Sequence, residues 1–195
     1  MKRASNILLL LGAAALVWVG VVWSGTALFD WYEGRELAYP PHTSAASGSH
    51  FACPLARRIL HPHEVIGRLE IPRLRMSTTV VEGDDAGALR FGAGHVPWTR
   101  LPGEGGNVGI AAHRDTVFRP LRKVAVRDHI KLITPAGLYE YEVSSTEVVP
   151  PQDVAVLDSS NGSELTLVTC YPFSYLGPAP LRFIVHARRI RPIGA

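Results

Sequence analysis

The sequence predicts a mostly β domain that follows a single membrane-spanning helix. Short segments rich in Val, Ile and Thr recur from residue 64 onward and are separated by turn residues, which is typical of a closed barrel or sandwich of mostly antiparallel strands. Fifteen prolines and 18 glycines are too many for a bundle of long helices. The length of 195 residues fits one domain of about 150 residues plus a short extra segment.

An uncharged apolar run, Ile7–Phe29, predicts the membrane helix. Its 23 residues would span roughly 34 Å at 1.5 Å per residue, enough for the hydrocarbon core of a bilayer. Lys2 and Arg3 precede the run, so the positive-inside rule places residues 1–6 in the cytoplasm and the domain outside the cell membrane. The alternative is a signal peptide cleaved near Gly25–Ala27, and the rest of the chain is exported in either case.

The net charge of +3 does not indicate a nucleic-acid partner. After Lys2 and Arg3, 18 basic residues stand against 17 acidic ones. No run of lysines and arginines remains that could follow a phosphate backbone. We therefore expect the partners of this chain to be proteins and the membrane.

Residues 30–63, rich in Pro, Ser, Ala and Gly, predict a partly ordered stalk before the domain at 64–195. The segment His61–Glu64 (HPHE) lacks the second histidine of a zinc-protease helix, and Pro62 breaks any helix there. The acidic pairs Asp84–Asp85 and Glu140/Glu142 do not by themselves support a calcium site. We expect no metal and no cofactor.

Seven segments after Glu64 predict β-strands, and two more predict short helices. Strict alternation in Leu138–Val143 places tyrosine and valine on one face and glutamate on the other. Asp84–Arg90 and Thr116–Val124 predict one or two helical turns each, capped by Asp84 or Thr116. The predicted strands are Val65–Ile71, Thr78–Glu82, Asn107–His113, His129–Thr134, Leu138–Val149, Leu165–Tyr171 and Arg182–Ile190.

Chemically reactive side chains stand at the ends of two predicted strands. The strand Asn107–Ala112 ends at His113, and another ends at Cys170, shortly before Pro172, which cannot continue a ladder. An imidazole can take the proton of a thiol and so generate a nucleophile. Arg182 interrupts an apolar strand, where a guanidinium could stabilise the oxyanion formed by attack on a carbonyl.

Three stretches resemble the sortase family and are most similar to class D sortases. They are TLVTC at Thr166–Cys170 followed by YPF, GIAAHRDTVFRPL at Gly109–Leu121, and APLRFIVHA at Ala179–Ala187. Phe91–Asn107 is also similar to the stretch that leads into the sortase histidine strand. The resemblance runs from Glu64 to Ile190. It implies an eight-stranded β-barrel with short helices.

The resemblance implies a cysteine transpeptidase in which His113, Cys170 and Arg182 take the family's catalytic positions. Cys170 would attack the bond after Thr in a sorting signal similar to Leu-Pro-x-Thr-Gly (LPxTG) and form a thioacyl enzyme. His113 would protonate the departing amine and activate an incoming one, while Arg182 would hold the oxyanion. The implied partners are exported proteins with a C-terminal LPxTG-like signal and an amine acceptor in the cell envelope or on a pilin.

Several assignments leave alternatives open. Thr169, beside the nucleophile, and His95, in GAGH, are further candidates for substrate binding, and each is also compatible with a packing role. Cys53 could lock Cys170 in a disulfide, although a free thiol in the stalk is favoured. A non-catalytic barrel that binds or assembles partners, and a thiol hydrolase that releases its product to water, remain alternatives to the transpeptidase.

Overall fold

The computed structural model describes residues 60–158, 162–175 and 177–190, together with the isolated positions Gly12 and Leu16. Apart from those two positions, the predicted membrane helix lies outside the described residues, as do Cys53 and nearly all of the stalk. Within the described part of the chain, no helix is both long and apolar enough to span a membrane.

Eight strands among the described residues close into one barrel, so the predicted mostly β fold is confirmed as a barrel and not a sandwich. The order around the barrel is β1-β2-β3-β4-β7-β8-β6-β5. The pairs β2–β3 and β4–β7 are parallel, and the other neighbours are antiparallel. The strands are β1 Val65–Ile71, β2 Met76–Glu82, β3 Ala93–His95, β4 Gly106–Ala111, β5 His129–Thr134, β6 Gly137–Val149, β7 Ser163–Tyr171 and β8 Leu181–Arg189.

The seven predicted strands match seven of these eight within a few residues, whereas β3 was not predicted. β3 is three residues long and contains one glycine, so it carries no measurable alternation. It forms because it lies between β2 and β4, whose ladders supply both sets of hydrogen-bond partners.

The helices are shorter than predicted. The α-helix α1 covers Ala88–Phe91, and 3₁₀-helices cover Pro72–Leu74, Arg119–Lys123 and Val154–Leu157. The prediction that Asp84 caps the first of the helical segments is wrong, because Asp85 accepts hydrogen bonds from the backbone N–H groups at the start of α1. Thr116 does not cap with its side chain either, since its backbone carbonyl accepts the Arg119 N–H at 3.3 Å.

Alternate residues of each strand fill the barrel. In β4 and β7 the inward residues Val108, Ile110, Leu165 and Leu167 are almost fully buried, and each contributes about 1.5–3 kcal/mol of burial free energy. The core also contains Tyr141, whose pKa burial raises to about 12. Because side chains alternate along a strand, the other residues of β4 and β7 lie on the outer face of the barrel.

The connection between β4 and β5 closes the barrel at the end where β4 and β7 finish. Phe118 and Leu121 from this connection are fully buried and belong to the same core cluster as the strands. The Phe118 N–H donates to the His113 carbonyl at 3.0 Å, which folds the chain back directly after β4. The residues that follow β4 are therefore anchored to the core at this end of the barrel.

Candidate active site

Cys170 and Arg182 lie directly opposite each other on neighbouring strands. The antiparallel register of β7 and β8 pairs these two residues. Paired residues of antiparallel strands have Cα atoms about 4.5–5.5 Å apart and side chains on the same face. Leu167 and Thr169 point inward, so Cys170 and Arg182 lie on the outer face, where both are partly exposed. Cys170 carries a free thiol.

His113 follows the end of the strand on the other side of β7. β4 and β7 are parallel, and their register pairs Ala111 with Val168, an offset of 57 residues. His113 and Cys170 are separated by the same 57 residues (170 − 113), so each lies two residues beyond the last pair of the β4–β7 ladder. The His113 side chain is exposed on the outer face. The strand pairing thus places all three predicted catalytic residues at the same end of the barrel.

Arg182 keeps hydrogen-bond donors available at this position. Its Nη1 donates to the carbonyl oxygens of Leu181 at 3.0 Å and Ala179 at 3.3 Å, which restrains the guanidinium. Among the described residues, its Nε and Nη2 have no hydrogen-bond partner. A restrained guanidinium with two nitrogens unused can bind an oxyanion that develops beside Cys170.

Thr169 lies inside the barrel and connects β7 to β4. It is 3% exposed, and its hydroxyl donates to the Ala112 carbonyl at 2.7 Å. The two residues joined by this bond directly precede Cys170 and His113. The role in substrate binding stays a prediction, and the buried position favours a role in holding the two reactive residues in register.

His95 is also buried, with 2% of its surface exposed. Its Nδ1 lies 2.8 Å from a Glu82 carboxylate oxygen, and its Nε2 lies 3.0 Å from the Arg100 carbonyl and 3.2 Å from the Thr99 hydroxyl. These contacts join β2, β3 and the β3–β4 connection. Substrate binding by His95 stays a prediction as well, and its contacts favour a structural role.

Arg114, which the sequence did not single out, holds the connection between Cys170 and Arg182. Its side chain is 6% exposed and donates to the carbonyl oxygens of Pro172 at 3.0 Å, Gly177 at 3.2 Å, and Tyr175. The guanidinium also lies 5.9 Å from the centre of the Tyr175 ring. Nothing in the spacing distinguishes this arginine from the other sixteen, because its partners are backbone atoms about 60 residues away.

An aromatic cluster supports the same connection from the inner side. The Phe173 ring contacts the Phe183 ring edge to face at 5.3 Å and the Tyr171 ring at 6.0 Å, and Tyr171 stacks on Phe183 at 6.2 Å. Such pairs contribute about 0.5–1.5 kcal/mol beyond their buried area. Arg114 and this cluster together hold the chain that links the nucleophile candidate to Arg182.

Comparison with known proteins identifies the family. The sortase domain model matches residues 69–190, which is more than half of the chain. The chain belongs to the sortase family. Sortase D of Bacillus subtilis is 38% identical to this chain over 125 residues, which cover 64% of this chain and 63% of the relative. This sortase therefore spans just under two thirds of the length of that curated relative.

Solved structures agree with the sequence comparison. A Clostridium perfringens sortase D5 transpeptidase superposes with a TM-score of 0.62 and 31% identity, over 68% of this chain and 83% of that one. The Streptococcus pneumoniae sortase C superposes with a TM-score of 0.62 and 29% identity, over 68% and 72% of the two chains. The predicted resemblance to the sortase family and to class D members is confirmed.

A polar network crosses the outer face of the sortase barrel behind the candidate site. The Thr166 hydroxyl donates to the Asn107 side-chain oxygen at 2.9 Å and lies 3.3 Å from His186 Nδ1, and His186 Nε2 lies 2.8 Å from a Glu147 carboxylate oxygen. The network connects β4, β7, β8 and β6. It links the strands that carry the reactive residues through side-chain contacts on the outer face.

No group of three or more His, Cys, Asp and Glu side chains within the described part of this sortase could hold a metal ion. His63 and Asp85 form a pair at 3.0 Å instead, and the hydrogen bond from His63 is the main reason why the pKa of Asp85 is lowered. The Glu64 carboxylate accepts the backbone N–H of His61 at 3.1 Å. These contacts fix the start of the domain, where the sequence showed HPHE.

Proposed function

We propose that this chain is a membrane-anchored sortase that cleaves an LPxTG-like sorting signal after Thr and transfers the protein to an amine of the cell envelope. The observation that supports the proposal is the strand pairing, which sets Cys170 opposite Arg182 and ends the neighbouring strand β4 two residues before His113. The family membership supports the reaction class. The uncharged segment 7–29 supports the anchor.

The first half of the reaction forms a thioester. The Cys170 thiol transfers its proton to the His113 imidazole, and the sulfur attacks the carbonyl carbon of the Thr residue in the signal. The developing oxyanion accepts hydrogen bonds from Arg182 Nε and Nη2, the two nitrogens that have no partner among the described residues. Collapse of the intermediate breaks the C–N bond as the His113 imidazolium protonates the departing amine.

The second half releases the acyl group. An incoming amine loses its proton to neutral His113 and attacks the thioester carbonyl. The new amide forms, and Cys170 leaves as a thiolate, which His113 reprotonates. The exposed position of His113 matters in both halves, because the departing and incoming amines reach the imidazole from the outer face.

A second candidate is a thiol hydrolase. His113 is exposed and Cys170 is partly exposed, so water can reach the thioester in place of an amine. The two candidates share every step up to the acyl enzyme and differ in the nucleophile that resolves it. The products therefore separate them.

Exported proteins are the proposed substrates. The Streptococcus pneumoniae sortase C is described in terms of its pilin substrate specificity. By likeness to such relatives, we propose that this sortase acts on exported proteins with a C-terminal LPxTG-like signal and on an acceptor amine of the envelope or of a pilin.

The test uses the full chain in neutral detergent with a fluorogenic LPxTG-type peptide, with and without added triglycine. We expect wild-type protein to cleave the peptide, to show a thioacyl adduct on Cys170 by mass spectrometry, and to form the triglycine product when the amine is present. Cys170→Ala should abolish cleavage, and Arg182→Gln should lower kcat by about 100- to 1000-fold, the usual cost of removing an oxyanion donor.

Cys53→Ser is the matched control, since it removes the other cysteine of the chain. It should retain wild-type activity under reducing and non-reducing conditions if Cys53 is a free thiol. Cleavage that continues unchanged in Cys170→Ala would refute the proposed chemistry and leave the non-catalytic barrel. Cleavage that yields only the free acid at saturating triglycine would favour the hydrolase.

A further inference from the structure

A cavity of about 490 Å³ with mainly cationic walls lies at the same end of the barrel as the candidate active site. We call it the basic cavity. Its cations are Arg73 and Arg75, from the β1–β2 connection, and Arg119, Arg122 and Lys123, from the β4–β5 connection. It is separate from the Cys170 site, because no residue of β7, β8 or their connection lines it.

The two connections that line the basic cavity are bonded to each other through Arg73 before any ligand binds. The Arg73 guanidinium donates to both carboxylate oxygens of Asp128 and to the Lys123 carbonyl. Asp128 is 5% exposed and also accepts the Ala125 N–H at 2.8 Å. These bonds join the β1–β2 connection to the β4–β5 connection. A preformed site loses little conformational entropy when a ligand binds.

The positive charge of the basic cavity is largely uncompensated. Asp128 pairs with Arg73 only, and in residues 60–158, 162–175 and 177–190 no carboxylate lies within ion-pair distance of the other four cations. Arg119 and Arg122 are three residues apart in a 3₁₀-helix, whose i and i+3 side chains eclipse each other. The two residues thus lie on one side of this helix, where they are exposed, and a bound anion would relieve the weak repulsion between their like charges.

Arg75 ends the 3₁₀-helix of the β1–β2 connection, and its N–H donates to the Pro72 carbonyl at 3.0 Å. Arg75 has φ 51° and ψ 38°, the left-handed region that residues with a side chain rarely adopt. Glycine or asparagine would adopt this conformation more readily, yet an arginine is placed there and lines the basic cavity. A left-handed residue is common where a helix ends, so this conformation directs the chain from the 3₁₀-helix into β2.

We propose that the basic cavity binds a phosphate-bearing anion. Four unpaired cations match a diphosphate or a phosphodiester with its neighbouring groups better than a single carboxylate, and planar guanidinium groups bind phosphate oxygens in pairs. Such a phosphate belongs either to the headgroup of an anionic lipid or to a soluble molecule. β1 begins at the opposite end of the barrel, so the basic cavity faces away from the point where the stalk enters. This position favours the soluble source.

The test measures two arms on the full chain at equal ionic strength. In the first arm, inorganic pyrophosphate is titrated by calorimetry into protein in neutral detergent. In the second arm, hydrogen exchange of residues 116–125 is compared in nanodiscs of phosphatidylcholine alone and with 30% phosphatidylglycerol. The variant Arg119→Gln/Arg122→Gln should weaken binding at least tenfold, since each guanidinium contributes about fivefold next to an anionic group.

The control variant Lys131→Gln/Arg188→Gln loses the same charge at two residues outside the basic cavity. It should bind like the wild type, and so should Cys170→Ala, which separates this proposal from the proposed function. Saturable pyrophosphate binding that only the cavity variant loses supports a soluble phosphate ligand. Protection that appears only with phosphatidylglycerol, and is lost in the cavity variant, supports a headgroup. No binding in either arm, or equal losses in both double variants, overturns the proposal.

Discussion

Arg114 offers a sharp test of how the site is built. Its guanidinium donates to three carbonyl oxygens of the β7–β8 connection, and its side chain is 6% exposed. Hydrogen bonds from a charged donor contribute about 1.5–3 kcal/mol each, and the lower value applies here because water can reach the exposed connection. Arg114→Ala should therefore lower the free energy of unfolding by about 4–5 kcal/mol. Arg114→Lys keeps the charge, yet one ammonium group cannot reach all three carbonyls.

The effect on activity follows from the position of this connection between Cys170 and Arg182. A displacement of about 1 Å in a catalytic constellation lowers the rate about 100-fold, so Arg114→Lys should reduce kcat by roughly that factor with little change in KM. The assays are cleavage of an LPxTG-type peptide and hydrogen exchange of the β7–β8 connection. We expect faster exchange in the connection while the barrel strands exchange as in wild type.

The control for Arg114→Lys is Arg188→Lys, because the Arg188 side chain is 77% exposed and lies far along β8 from the site. It should leave activity and exchange unchanged. If Arg114→Lys shows wild-type kcat and wild-type exchange in the connection, the reasoning is refuted. A loss of global stability with normal exchange in the β7–β8 connection and normal kcat would also refute the reasoning. Arg114 would then contribute to folding and not to the geometry of the site.

Three further predictions concern stability and its pH dependence. The hydrogen bond from Arg73 lowers the pKa of Asp128 in the folded protein. The pair therefore stabilises the fold above the unfolded pKa of about 4, and this contribution is lost as the pH falls through the lower folded pKa. Asp128→Asn should lower the melting temperature by about 3 °C at pH 7 and by much less at pH 3, and an equal difference at both values would contradict this. Burial raises the pKa of Tyr141 to about 12, so its contribution is present below the unfolded value of about 10 and is lost as the pH rises toward 12. Between pH 9 and pH 11, urea denaturation should show wild type losing about 1.4 kcal/mol relative to Tyr141→Phe. In Gly94→Ala the new Cβ would lie 2.1 Å from the Gly83 carbonyl oxygen, and the same urea denaturation should show a loss of about 3 kcal/mol. The control is Gly105→Ala, where the new Cβ meets nothing within 4 Å and stability should change by under about 0.5 kcal/mol.

Most of the barrel could be predicted from local patterns. β5 and β1 begin and end at the predicted residues, because each alternates between core and surface and is bounded by turn residues. β3 was beyond such reasoning, since three residues show no period and only the neighbouring strands make them a strand. The aspartate that accepts the first N–H groups of α1 was misplaced by one residue for a similar reason, because adjacent aspartates look alike until the backbone direction is known.

The candidate site was predictable as a set of residues and not as a geometry. Short sequence motifs identified His113, Cys170 and Arg182. Their common position at one end of the barrel depends on the 57-residue offset between β4 and β7 and on the β7–β8 pairing. Thr169 lay next to the nucleophile in the sequence, and only the inward side of β7 showed that it bonds to the β4 backbone.

The sequence by itself determined the β class, the family, the three reactive residues and the apolar segment at the start, because each depends on composition, local alternation or short motifs. Only the tertiary structure decided the parallel β4–β7 pairing, the hydrogen bonds from Arg114 to the β7–β8 connection, and the basic cavity. The sequence contains no run of basic residues, and yet five cations from two connections line one cavity. The physical reason is that closing the barrel brings together groups about 50 residues apart, and no local pattern encodes which groups will meet.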